Sequence, residues 1–94
     1  MGMMERACAE LEIVNALGLH ARAAAQLVKI ANRYRCDAQL TCEGQAVNAK
    51  SIMGVLMLAA AQGMRVTLSC EGEGARRCVD EITELVKNRF GEPS

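Results

Sequence analysis

The chain has 94 residues, of which 51% are hydrophobic and 2% aromatic, and its eleven basic residues balance eleven acidic ones. This length predicts one domain with an aliphatic core. Zero net charge and the scarcity of aromatic rings argue against nucleic-acid binding. No apolar run is long enough to span a membrane, and no signal peptide is visible. We therefore expect a cytoplasmic monomer that does not bind membranes.

Hydrophobic periodicity divides the chain into seven elements. Alternation of polar and apolar residues predicts strands over 8–15, 36–43, 46–48 and 64–71, after a short tail formed by residues 1–7. A turn at Gly44 and Gln45 is predicted to join the second and third strands. Helical spacing predicts helices over 21–34, 52–60 and 75–90, with Ser51 as the cap of the second helix.

The order of these elements, β-α-β-β-α-β-α, indicates an α+β fold. We expect an open-faced sandwich, in which three helices cover one face of a four-stranded antiparallel sheet. The whole chain then forms a single domain with its core over about 8–91.

His20 is the only histidine in the chain, and it precedes the first predicted helix. Backbone N–H groups at a helix start lack partners within the helix and bind anions. A neutral imidazole at this place can act as a nucleophile through a ring nitrogen. After attack on a phosphoryl group, the amides of Ala21 and Arg22 and the Arg22 side chain could hold the negative charge. The residues alone leave open that His20 merely caps the helix.

Two other patterns suggest sites that we reject. Residues 44–51 approach the phosphate-binding pattern G-x-x-x-x-G-K-[ST], but Ala49 replaces its second glycine and the chain is too short for a nucleotide-binding domain. We predict no cofactor, so a phosphoryl group must come from another protein. The five cysteines lack zinc-site spacing, and we expect no metal site and buried free thiols.

The second predicted helix has apolar residues on more than one face. A helix lying on an open sheet buries only one face. We therefore expect Val55 and Leu58 to point inward, and Ile52, Met53 and Leu56 to lie at least partly outward as a surface for partner proteins.

The stretches GLHARAAA, NAKSIMGVLMLAA and QGMRVTLSCEGEGARRCVDEITELV resemble HPr, the histidine-containing phosphocarrier family of the phosphoenolpyruvate:sugar phosphotransferase system. The resemblance extends from about Ala9 to Val86. It implies that His20 is phosphorylated on Nδ1 and that Arg22 assists the transfer. It also implies that enzyme I supplies the phosphoryl group from phosphoenolpyruvate and that an EIIA-type domain receives it.

The same resemblance assigns roles around the second helix. Ser51 matches a serine that a dedicated HPr kinase/phosphorylase modifies in some bacteria. The predicted docking residues are Ile52, Met53, Leu56 and Lys29. One departure is Ala23, which stands where the family usually has proline.

The residues leave two further functions open. The first is a regulatory HPr-like protein, of a nitrogen or carbon-catabolite branch, that acts mainly by binding other proteins. Such variants in the family lack the histidine, so the presence of His20 argues against a purely regulatory role. The second is an unrelated sandwich that binds a small metabolite.

Overall fold

In a computed structural model that describes residues 4–94, four strands form one antiparallel sheet in the order β1-β4-β2-β3. The strands are β1 (Arg6–Glu12), β2 (Asp37–Cys42), β3 (Gln45–Asn48) and β4 (Arg65–Glu71). The helices are α1 (Ala21–Ala31), α2 (Ile52–Met57) and α3 (Ala75–Lys87), followed by a 3₁₀ turn over Arg89–Gly91. The predicted element order and the open-faced sandwich are confirmed.

Alternation along the strands places the core on one face of the sheet. Leu11 of β1 lies opposite Val66 of β4, and Leu40 of β2 lies opposite Leu68 of β4; all four side chains are buried. α3 packs against β1 and β4, and α1 packs against α2 and α3. The helices therefore cover the face that the strand pattern makes apolar, because burial of that face stabilises both layers.

All three helices are shorter than predicted at their carboxyl ends. α1, α2 and α3 end at residues 31, 57 and 87 instead of 34, 60 and 90. The backbone leaves the helical region at Ala59 (φ 49°) and at Arg89 and Phe90 (both φ 55°). Tertiary contacts outweigh helix propensity here, since Phe90 is 1% exposed and the Ala60 carbonyl bonds the loop before α1.

Two boundaries in the sheet also differ from the prediction. β1 begins at Arg6 and ends at Glu12, so Arg6 and Ala7 belong to the sheet and not to the predicted tail, of which residues 1–3 lie outside the described residues. The turn between β2 and β3 consists of Glu43 and Gly44, with φ of 49° and 81°, and not of Gly44 and Gln45. Positive φ at both positions is the arrangement that matches the twist of a hairpin.

Four of the five cysteines are buried as free thiols, as expected, but Cys8 is exposed on β1. No helix within residues 4–94 has the length and apolar character that a membrane crossing requires.

Candidate functional site

The loop before α1 is fixed against the segment that follows α2. Gly18 has φ 67°, and a Cβ atom on it would lie 2.5 Å from the carbonyl oxygen of Ala60. The next residue, Leu19, donates its N–H to that same oxygen at 2.9 Å. Only glycine permits both the positive φ and this close approach. The contact determines where the following residue, His20, enters α1.

His20 is the N-cap residue of α1, but its imidazole does not cap the helix. The backbone is extended (φ −75°, ψ 178°), and its carbonyl accepts the N–H of Ala24 at 2.8 Å. The side chain makes no capping hydrogen bond and is 28% exposed. The imidazole is therefore held by some other group and remains accessible.

That group is the carboxylate of Glu92, which lies 72 residues away in the sequence. The Nε2 atom of His20 is 2.5 Å from Oε2 of Glu92, whose side chain is 8% exposed. The other carboxylate oxygen, Oε1, accepts a hydrogen bond of 2.9 Å from Nδ2 of Asn15. The hydrogen bonds from His20 first, and then from Asn15, lower the pKa of Glu92. An ionised Glu92 thus fixes the orientation of the imidazole.

Asn15 connects this carboxylate to the loop. It is fully buried, and its Nδ2 atom also donates to the carbonyl oxygen of Gly18 at 2.9 Å. One amide group therefore bonds both Glu92 and the loop that enters α1. Asn15 thus links Glu92 to the loop that carries His20.

The C-terminal segment is anchored at several points around Glu92. Phe90 is buried in the core, and a guanidinium nitrogen of Arg89 donates to the carbonyl oxygen of Pro93 at 3.0 Å. The carbonyl oxygen of Ser94 accepts the N–H of Ala16 at 3.1 Å. The segment consequently packs against the loop that carries the histidine.

A cleft of about 380 Å³ lies where these parts meet. Arg22, the second residue of α1, is exposed and makes no ion pair within the described part of the chain. Its positive charge helps to lower the pKa of Glu92, although less than the two hydrogen bonds do. The cleft is lined by Ala16, Leu17, His20, Arg22, Glu92, Pro93 and Ser94.

The contact with Glu92 distinguishes the two ring nitrogens of His20. In a neutral imidazole one nitrogen carries the proton and the other carries a lone pair. A carboxylate only accepts hydrogen bonds, so the proton belongs on Nε2 and the lone pair on Nδ1. Nδ1 makes no hydrogen bond to any of the residues 4–94. The arrangement therefore leaves Nδ1 as the ring nitrogen with the free lone pair.

Ser51 lies at the other end of α1. Its Oγ atom accepts the N–H of Gly54 at 3.1 Å, which confirms the predicted cap of α2. The carbonyl oxygen of the preceding residue, Lys50, accepts a hydrogen bond from Nδ2 of Asn32. Asn32 is the residue directly after α1. Since α1 has 11 residues, about 16 Å of helix separates this contact from His20.

The α2 surface has the predicted division. Val55 and Leu58 are buried, whereas Ile52 and Met53 are 45% and 70% exposed and Leu56 is half-buried. Lys29 is exposed in the last turn of α1. Leu17 and Met57, which the sequence analysis did not include among the docking residues, are also strongly exposed. These exposed apolar side chains are therefore available for contact with another protein.

Sequence reasoning missed Glu92 and Asn15. The sequence analysis assigns no role to Glu92, and it places Asn15 at the end of the first predicted strand, whereas β1 ends at Glu12. No local pattern could have paired Glu92 with His20, because the contact depends on how the C-terminal segment packs on the α1 loop. The one available signal was that a polar residue, Asn15, continues the face of the predicted strand that carries Leu11 and Ile13.

A family model described as "PTS HPr component phosphorylation site" matches residues 7–88. The chain belongs to the HPr family. It is 45% identical over 83 residues to the phosphocarrier protein HPr of Xylella fastidiosa strain Temecula1, covering 88% of this chain and 93% of that protein. The HPr of Cupriavidus necator is 46% identical over 80 residues, 85% of this chain and 90% of that protein.

A solved structure shows the same fold. The crystal structure titled HPr-C-His from Thermoanaerobacter tengcongensis matches with a TM-score of 0.90 at 36% identity, covering 94% of this chain and 99% of that one. The general role of an HPr chain is that of a phosphocarrier in the phosphotransferase system. The matched residues 7–88 contain His20, Arg22 and Ser51, whereas Glu92 lies beyond them.

Proposed function

We propose that this HPr accepts a phosphoryl group from enzyme I on Nδ1 of His20 and passes it to an EIIA-type domain. The observation that carries the proposal is the 2.5 Å contact between Nε2 of His20 and the Glu92 carboxylate at the start of α1. This contact leaves Nδ1 as the ring nitrogen with a free lone pair. The histidine is partly exposed, as a group that exchanges phosphoryl between two proteins must be.

In the first step, the lone pair of Nδ1 attacks the phosphorus atom held by enzyme I. An N–P bond forms and the bond from phosphorus to the donor group breaks, with the electron pair leaving on the donor. The imidazole becomes a cation because Nε2 keeps its proton. The Glu92 carboxylate beside Nε2 stabilises this positive charge as it develops.

The transferred phosphoryl group carries negative charge, and two features of α1 are suited to it. The guanidinium of Arg22 is unpaired among the described residues and lines the same cleft as His20. The first N–H groups of α1, at Ala21 and Arg22, lack partners within the helix and favour anions. The Arg22 side chain and these N–H groups are thus the groups that we propose to hold the phosphoryl charge, while Glu92 holds Nε2.

The second step reverses the first. Nδ1 leaves as a neutral imidazole when the phosphoryl group moves to the EIIA-type acceptor. A ring that stays protonated on Nε2 is the better leaving group, since it recovers its electron pair without becoming an anion. Glu92 therefore serves both steps by keeping the proton on Nε2. No nucleotide or metal takes part in either step as we propose it.

Partner docking is assigned to the exposed and half-buried apolar residues of α2. Ile52, Met53 and Leu56 form one side of this surface, and Lys29 provides a cation nearby on α1. Ser51 immediately precedes Ile52, and its side chain is half-buried. We therefore propose that phosphorylation of Ser51 acts by adding charge beside the docking surface. It does not act by direct contact with His20, at the far end of α1.

The carrier step is tested with purified enzyme I and ³²P-labelled phosphoenolpyruvate. We expect acid-labile, alkali-stable label on the wild-type chain and none on His20→Ala. Because the chain has one histidine, any phosphohistidine is on residue 20. Two-dimensional ¹H–¹⁵N spectra of the labelled ring assign the nitrogen. Phosphorylation on Nε2, or label that persists in His20→Ala, would overturn the proposal.

The acceptor is tested by mixing the phosphorylated chain with EIIA domains. Rapid loss of label to a sugar-branch EIIA supports a role in transport. Transfer only to a nitrogen-branch EIIA supports the regulatory alternative. A chain that is labelled by enzyme I but passes phosphate to neither domain would contradict a carrier role in both branches.

The Ser51 proposal is tested with the pair Ser51→Asp and Ser51→Asn. Both residues cap helices well, and they differ in charge. We expect Ser51→Asp to slow transfer from enzyme I about tenfold or more, which equals about 1.4 kcal/mol in the transition state, while Ser51→Asn stays close to wild type. Equal rates for the two variants would remove the regulatory assignment.

A further inference from the structure

Three cysteines that are far apart in the sequence meet inside the fold. Cys36 precedes β2, Cys70 lies in β4, and Cys78 lies in the first turn of α3. Their Sγ atoms all lie within 4.8 Å of one another, and the three residues are at most 1% exposed. Neither the phosphocarrier chemistry nor the docking surface uses them. We propose that this thiol cluster binds one thiophilic monovalent cation, Cu(I), through three sulfur atoms.

The backbone holds the three cysteines on separate, firmly connected elements. In the β2–β4 pairing, Ala38 lies opposite Cys70, so Cys36 and Cys70 approach each other at the ends of paired strands. The loop after β4 passes so close to Cys36 that a Cβ atom on Gly72 would lie 3.0 Å from its Cα. The N–H of Cys78 bonds the carbonyl of Gly74 at 2.9 Å. The ligand positions are therefore set by the fold itself.

The spacing suits three-coordinate binding by sulfur. A metal–sulfur bond of about 2.3 Å places three coplanar sulfur atoms about 4 Å apart. Atoms that already lie within 4.8 Å of one another need small side-chain shifts to reach this geometry. Within residues 4–94 the group comprises three sulfur ligands, with no carboxylate or imidazole as a fourth. Zn²⁺ prefers four ligands, whereas soft thiolates select Cu(I).

Burial and mutual contact oppose loss of the thiol protons, so the three metal–sulfur bonds must supply the free energy that deprotonation costs. Burial, followed by the neighbouring Cys78, raises the pKa of Cys36, and the hydrogen bond with Cys70, followed by burial, raises the pKa of Cys78. The Lys50 ammonium acts in the opposite direction on both thiols. Its Nζ atom is fixed by a 2.7 Å hydrogen bond to the carbonyl of Tyr34. Lys50 is thus a positioned cation that offsets part of the charge of a thiolate complex.

Binding is written as Cu⁺ plus three thiols giving a tris-thiolate copper complex of charge −2 and three protons. No electron is transferred, and the copper stays in the +1 state throughout. Because protons are released, the apparent affinity must rise with pH. Proton release without electron transfer distinguishes copper binding from disulfide formation. A disulfide would need an oxidant and would leave one of the three thiols unpaired.

The test is an anaerobic titration of the reduced chain with Cu(I) in the presence of bicinchoninate as competing chelator. We expect one copper per chain, tighter binding at pH 8 than at pH 6, and an X-ray absorption spectrum with three sulfur neighbours. Loss of one ligand in Cys36→Ser or Cys78→Ser should weaken binding by at least about 100-fold, since even outer-shell changes cost up to that factor. Circular dichroism verifies that these variants fold.

The matched control is the double variant Cys8→Ser/Cys42→Ser, which removes the two thiols outside the cluster and retains all three ligands. It should bind one copper with wild-type affinity, and it keeps the test decisive if a ligand variant fails to fold. Three outcomes would each overturn the proposal. The chelator removes copper from the wild-type chain, the control variant loses copper binding, or the chain prefers to bind Zn²⁺ with four ligands.

Discussion

The histidine site and the thiol cluster are both assembled from residues far apart in the sequence, but they differ in charge and exposure. The histidine site combines a partly exposed imidazole with an ionised carboxylate and an exposed arginine. The thiol cluster is closed to solvent, and each of its three cysteines is at most 1% exposed. An open, charged site can meet another protein and exchange a phosphoryl group. A closed site of soft ligands can only retain a small ion.

The largest expected effect concerns the loop that carries the histidine. Gly18→Ala places a Cβ atom 2.5 Å from the Ala60 carbonyl oxygen at a residue with φ 67°. We expect a loss of about 2–4 kcal/mol in the free energy of unfolding, from strain together with the clash. Urea denaturation measures this loss.

Gly63→Ala is the matched control for that substitution. Gly63 also has a positive φ, 89°, but a Cβ atom there would meet no atom within 4 Å. Its cost should be limited to about 1 kcal/mol of backbone strain. Equal losses in the two variants would show that the contact with Ala60 contributes nothing, and the loop would then not be fixed by it.

The second effect concerns Glu92, whose carboxylate distinguishes His20 from a surface histidine that has no such partner. Glu92→Gln keeps a hydrogen-bond acceptor but removes the charge that stabilises a protonated ring. We expect phosphoryl transfer from enzyme I to slow by about 10- to 100-fold, with the fold unchanged. Rapid-quench measurement of the labelled chain gives the rate of phosphoryl transfer. Glu12 is exposed, and Glu12→Gln is the control for a general loss of negative charge. Wild-type rates in Glu92→Gln would remove Glu92 from the mechanism.

The third effect is a dependence of stability on pH. The pKa of Glu92 is lower in the folded chain than its ordinary value, which is about 4.3. The stability that ionised Glu92 contributes is therefore fully present when the pH lies above this ordinary pKa. It is lost as the pH falls through the lower pKa of Glu92 in the folded chain. Urea midpoints between pH 6 and pH 3 should decline more steeply for wild type than for Glu92→Gln. Parallel curves for the two proteins would contradict an ionised, hydrogen-bonded Glu92.

The smallest effect concerns Ala23, where this chain differs from the usual family pattern. Ala23 is in the first turn of α1, and the first intrahelical bond is donated by Ala24. Proline at residue 23 therefore removes no helix hydrogen bond. We expect Ala23→Pro to raise the free energy of unfolding by about 0.4–1 kcal/mol and to retain transfer activity. Because Ala23 is fully buried, destabilisation would show that the core has no room for the ring.

Much of the fold was predictable because its signals are local. Alternation in β2 and β4 predicted which side chains face the core, and Leu40 and Leu68 are indeed buried. The helix ends were not predictable in the same way. Phe90 continues the helical spacing of α3, but the chain turns at Arg89 and Phe90 so that this ring reaches the core.

For the site, the sequence by itself determined that the only histidine stands at the start of a helix, with an arginine two residues later. His20, Arg22 and the cap at Ser51 follow from short-range patterns, because the groups concerned lie within a few residues of one another. Only the tertiary structure decided which ring nitrogen is free and which thiols meet. The partner of His20 is 72 residues away, and the three clustered cysteines lie on different elements. Such contacts depend on how layers pack, and packing brings together residues that no local periodicity relates.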